Sequence, residues 1–83
     1  MDSPMTDQDI LAKLDEIIAD QLDLDDVKLS ASTVSADVDG WDSLAHVRIM
    51  IAVEQAFGVR FSTSQITSIA NVGELIERIR AKL

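Results

Sequence analysis

The chain has 83 residues, 15 of them acidic and 7 lysine or arginine, for a formal net charge of −8. One domain with a thin core fits that length, and an enzyme cleft with several walls does not. The acidity argues against a binder of nucleic-acid phosphates and for a monomer that meets basic partners. The lack of cysteine excludes disulfides, thiolate metal sites and a thiol nucleophile.

Residues 1–5 read as a disordered lead and 6–83 as a single domain. Thr6 suits the cap of a helix whose first turn holds Asp7 and Asp9. Ile10, Leu14, Ile17 and Ile18 recur at helical spacing, with Leu11 and Leu22 beside them, and predict a helix over 7–22. Residues 23–26 are a polar stop. Residues 27–40 form a long connection with Val27, Leu29, Val34 and Val38 as isolated apolar anchors. A loop of that length in so small a domain is usually functional or carefully packed. Asp42 is placed to cap a second helix that runs to Phe57, where Gly58 stops it. Val59, Arg60 and Phe61 read as a linker. Ser62 or Thr63 then caps a brief helical stretch through Ile69. Asn71 caps the last helix, with Glu74 at capping-box spacing and Val72, Leu75, Ile76, Ile79 and Leu83 as its apolar stripe. Three main helices, one short one and no strand-like alternation predict an all-α protein, a small four-helix bundle. No apolar run is long enough to cross a membrane and no signal-peptide pattern opens the sequence, so a cytoplasmic protein is expected.

The second helix has two apolar sides. At about 100° per residue, Ile49, Met50, Val53 and Phe57 share one side, while Leu44, Val47 and Ile51 fall nearly opposite. A helix in a small bundle needs only one such stripe. Either the helix is buried on both sides, or Leu44, Val47 and Ile51 form a docking stripe for a partner. His46, the only histidine, falls on the inner side by angle but in the first turn, where a side chain can still escape to water. With no cysteine and no second histidine it makes a poor metal ligand and a poor catalytic base, which leaves a structural or surface role.

Ser43 follows Asp42 at the start of this helix. A serine there can be a simple cap or first-turn residue. A self-activated nucleophile would need a base, an orienting group and an oxyanion site, and the single histidine faces another side of the helix. Ser43 therefore gains a role only if another enzyme modifies it.

The run Gly40-Trp41-Asp42-Ser43-Leu44-Ala45-His46 resembles the prosthetic-group site of acyl carrier proteins, whose core is Asp-Ser-Leu. Residues 49–58, Ile-Met-Ile-Ala-Val-Glu-Gln-Ala-Phe-Gly, are similar to that family's second helix with its aromatic–glycine end. The likeness extends over nearly the whole chain. It implies a bundle of the acyl-carrier type, no catalysis by the chain itself, no metal of its own, and a 4′-phosphopantetheine arm on Ser43 between Asp42 and Leu44. A phosphopantetheinyl transferase would move that arm from coenzyme A to the serine hydroxyl, giving a phosphoprotein whose borrowed thiol carries acyl groups as thioesters. The other implied partners are enzymes that load and process the acyl group, with neither nucleic acid nor membrane involved. The second helix would face them through Leu44, Val47, Arg48, Ile51 and Glu54, helped by Asp37 and Asp39 of the loop and by Ile69 and Val72 near the arm's exit. Met50, Val53, Phe57, Ile66 and Leu75 would line the core into which some carriers tuck their cargo.

Two departures from the family pattern stand out. Carriers of fatty acid synthesis usually place acids just after the leucine and along the second helix, where Ala45, His46, Arg48 and Ala56 stand here. The short third helix also lacks acids. Apolar and mixed-charge docking is therefore expected, and the Gly-Trp-Asp-Ser-Leu site resembles that of stand-alone carriers, which implies a specialised branch of fatty acid or polyketide biosynthesis. Asp42 favours acyl cargo over the aminoacyl cargo of peptidyl carriers without excluding it. An unmodified acidic interaction module, with Ser43 as a cap, predicts the same surface stripe. A calcium loop at 37–42 fails because Trp41 occupies a required oxygen-ligand position and no bidentate glutamate closes the loop.

Overall fold

The computed structural model describes residues 6–83, and the expected lead at 1–5 lies outside the described residues. Its helices are α1 (Asp7–Leu22), α2 (Ser43–Phe57), α3 (Thr63–Thr67) and α4 (Val72–Lys82), with one 3₁₀ turn at Ser35–Asp37 inside the long loop. Among the described residues there is no strand.

Local chemistry sets the helix ends. Thr6 and Asp9 form a reciprocal capping box, each side chain accepting from the other's backbone N–H at 3.1 Å. At the other end Asp23 adopts a left-handed conformation (φ 56°), and the Leu24 N–H reaches back to the Ala19 carbonyl at 2.9 Å. This closes α1 in the manner of a Schellman motif. The Asp42 carboxylate caps α2 by accepting from the Ala45 N–H at 2.8 Å. Gly58, at φ 67°, ends α2, and the Val59 N–H folds back onto the Glu54 carbonyl.

α1 packs against both α2 and α4. Ile10, Leu14 and Ile18 of α1 meet Ile49, Met50 and Val53 of α2 and Val72, Leu75 and Ile79 of α4, all fully or almost fully buried. No buried polar side chain interrupts this core among the described residues. The long loop adds Leu29 to the core and lays Val27, Val38 and Trp41 against it. Val34 does not join that cluster; its N–H is tied to the Asp37 carboxylate at 3.1 Å.

Five expectations need correction. The linker is part of the core: Val59 and Phe61 are buried on either side of exposed Arg60. An extended chain sends alternate side chains to one face, and two such residues are too few for periodicity to reveal. α3 ends at Thr67 rather than Ile69, because Ser68 leaves the helical conformation while its N–H still bonds the Ser64 carbonyl. The α4 cap is one-sided: Asn71 accepts from the Glu74 N–H at 2.9 Å, but the Glu74 carboxylate turns to the Ala70 N–H. Leu83 is 54 % exposed and outside the core. Phe57 and Ile66, expected to line the core, pack against its edge and are only half-buried, with the Lys13 ammonium 6.0 Å from the Phe57 ring centroid.

Candidate functional site

The site is built where α1 ends, α2 begins and α3 passes by. Gly40, at φ 86°, turns the loop into α2, and a Cβ there would sit 3.9 Å from Leu22 of α1. The Trp41 side chain follows, then the Asp42 cap. With Ala45 N–H bound to the Asp42 carboxylate and His46 N–H to the Asp42 carbonyl, the Ser43 and Leu44 N–H groups are left without intrahelical partners. Ser43 is exposed on the rim of an open groove of about 580 Å³. Trp41, His46 and Val47 line one part of that groove, and Ile66, Thr67 and Ile69 another.

The two sides of α2 separate as the sequence suggests. Ile49, Met50 and Val53 are fully buried, whereas Leu44, Val47 and Ile51 are 65, 48 and 49 % exposed. Arg48 is exposed beside them. Glu54, the only acid on α2, accepts a 2.8 Å hydrogen bond from the Phe61 N–H, so its carboxylate serves the turn after α2. Asp37 and Asp39 are exposed on the loop, and Asp37 is engaged with Val34.

Not every expected site residue belongs to this surface. Ile69 is half-buried on the groove wall. Val72 is 2 % exposed, and its N–H bonds the Thr33 carbonyl at 2.9 Å. As the first residue of α4 it turns into the core, so it has no side-chain surface to offer a partner. Sequence reasoning missed the groove's polar bracing. The Trp41 indole N–H donates to His46 Nδ1 at 3.1 Å, and His46 Nε2 lies 3.0 Å from the Ile66 carbonyl. The signal available was the pair Trp41 and His46, five residues apart across a helix start.

Among the described residues no base hydrogen-bonds Ser43, and the two His46 nitrogens pair with Trp41 and the Ile66 carbonyl. What the site offers is an accessible hydroxyl at a helix start beside a groove. Residues 12–79 match the family of the phosphopantetheine attachment site. The chain belongs to the acyl carrier family. It is 30 % identical over 78 residues to an acyl carrier protein of Prochlorococcus marinus, covering 94 % of this chain and 98 % of that one. With an acyl carrier protein of Clostridium acetobutylicum it shares 29 % identity over 72 residues, 87 % of this chain and 94 % of the relative. Its fold is similar to the solution structure of a holo acyl carrier protein from Geobacter metallireducens, with a TM-score of 0.80 at 29 % identity, over 88 % of this chain and 84 % of the other.

The carrier is therefore not an enzyme, and the prosthetic group of its family is 4′-phosphopantetheine. The residues fit that group. A phosphodiester on the first residue of α2 would lie at the positive end of the helix, beside the two open N–H groups. The family works with phosphopantetheinyl transferases and acyl-processing enzymes in general. Among the described residues no helix is long and apolar enough to cross a membrane.

Proposed function

We propose that Ser43 is the attachment point of the phosphopantetheine arm, with Asp42 and Leu44 as its immediate frame. The observation that carries this reading is the exposed Ser43 at the capped start of α2, on the rim of the groove. When attached, the arm supplies the thiol that this cysteine-free chain lacks and holds the acyl group as a thioester. The chain's own residues present the serine: Asp42 fixes the first turn, and Leu44, Val47 and Ile51 offer an apolar stripe to the partner enzyme.

The partners are the transferase and the enzymes that load and process the acyl group. Arg48 and the engagement of Glu54 favour apolar and mixed-charge docking over an all-acidic α2 face, and support a place in a specialised pathway. Asp42 favours acyl over aminoacyl cargo. We place the working form as a cytoplasmic monomer, in keeping with the −8 charge.

The test is intact mass after incubation with coenzyme A, Mg²⁺ and a promiscuous phosphopantetheinyl transferase. The wild-type chain gains one phosphopantetheine and Ser43→Ala gains none. If neither gains mass with several active transferases, Ser43 is a first-turn residue only and the chain is an unmodified interaction module.

A further inference from the structure

α3 is five residues long and buries none of them fully. Such a helix gains little from burial beyond Ile66 against the core's edge, and its Gln65 and Ile66 carbonyls accept no backbone N–H. Side chains from both neighbouring helices take them. Arg78 of α4 donates to the Gln65 carbonyl at 3.1 Å and to Ser68 Oγ at 3.0 Å. His46 of α2 reaches the Ile66 carbonyl at 3.0 Å.

The chemistry of the partners fixes the state of His46. An indole N–H can only donate, so Nδ1 must be the unprotonated acceptor toward Trp41. A carbonyl can only accept, so Nε2 must carry the proton toward Ile66. Only the neutral Nε2–H tautomer makes both bonds. The Trp41 and His46 rings lie 23° from parallel with centroids 6.0 Å apart, consistent with a bond made edge to edge.

We propose that His46 is a positioning residue: as the neutral Nε2–H tautomer it braces Trp41 against α3 and fixes the width of the groove beside Ser43. Both groove walls, the indole and the Ile66 turn, meet on this one imidazole. Ser43 is three residues from His46 in the same helix and keeps its own cap, so the brace sets what surrounds the hydroxyl rather than the hydroxyl itself. The functional part rests on the reading of Ser43 as the attachment site; the brace itself does not.

Because the chain has one histidine and one tryptophan, both signals are unambiguous in ¹⁵N NMR of the unmodified protein. The expected ring pattern is a single Nε2–H tautomer with a downfield Trp41 indole proton. His46→Ala should move that proton upfield and speed exchange at the Ile66 and Ser68 amides by about tenfold, while the Ile79 amide is unchanged. His46→Asn keeps an acceptor at the Nδ1 position and should restore the indole shift. His46→Gln keeps a donor at the Nε2 position and should restore α3 protection. In transferase kinetics His46→Ala should raise KM several-fold with kcat near wild type, and His46→Gln, which restores only the α3 side, should recover it in part.

A ring interconverting between tautomers, or unchanged α3 exchange in His46→Ala, overturns the brace. An intact brace with unchanged KM in His46→Ala overturns its role in presenting Ser43. A chain that is never loaded leaves the NMR result standing and defeats the attachment reading instead.

Discussion

Two regions of this small bundle are stabilised by different means. The α1–α2–α4 core is filled by aliphatic side chains, with no buried polar group among the described residues. The region of α3 and the long loop adds to its apolar contacts side chains that seek out backbone groups: His46 and Arg78 on α3, Asp15 on the Leu29 N–H at 3.0 Å, and Glu54 on the Phe61 N–H. Burial is non-directional and tolerates small shifts, whereas a hydrogen bond is lost within a fraction of an ångström. The part that surrounds Ser43 is therefore the part most easily retuned by single substitutions.

The comparison breaks first at the core. Leu14→Ala removes a fully buried side chain and should cost about 3 kcal/mol in urea unfolding. Phe57→Ala should cost less, about 2 kcal/mol, because its ring is only half-buried. The seam between the two regions is tested by Gly73→Ala. There the loop's Ala31 carbonyl accepts from the Gly73 N–H at 2.8 Å, and an added Cβ would lie 2.9 Å from that same oxygen. The loop must move off α4, with an expected loss of about 1–2 kcal/mol in thermal unfolding. The smallest effect on stability belongs to the outer face of α2. Ile51→Asp should change the unfolding free energy by no more than about 0.5 kcal/mol while slowing Ser43 loading about tenfold. Loss of stability as large as that of Leu14→Ala would mean that this stripe is structural after all.

The same division explains what could be read from the sequence. α1 and α2 are found with the ends that structure assigns, because their apolar residues recur at helical spacing between strong caps: Thr6 and Asp42 at the starts, Gly58 at the end of α2. The two apolar sides of α2 also follow from spacing, although only the exposure of Leu44, Val47 and Ile51 shows which of them faces outward. The reading of Ser43 as a site rests on the Asp-Ser-Leu frame and the helix after it, since an isolated serine at a helix start has no chemical signature. The part of the bracing that ends on backbone was illegible for a physical reason. His46 to Ile66 and Arg78 to Gln65 end on backbone carbonyls, which every residue possesses, so side-chain identity at the receiving end carries no signal. The burial of Val59 and Phe61 and the inward turn of Val72 depend on how the chain crosses over between helices, which short segments do not encode by period.

The Arg80–Asp7 contact has a consequence of another kind. The two side chains meet at 2.6 Å but are more than half exposed, so they add little to stability. What they mark is geography. The start of α1 and the end of α4 lie side by side, while Leu22 at the far end of α1 borders the same hollow as Asp42 and Leu44. With 16 residues, α1 separates the two poles by about 24 Å. A neighbour fused after the end of α4 would therefore emerge at the pole opposite Asp42 and Leu44, away from the exposed Ser43.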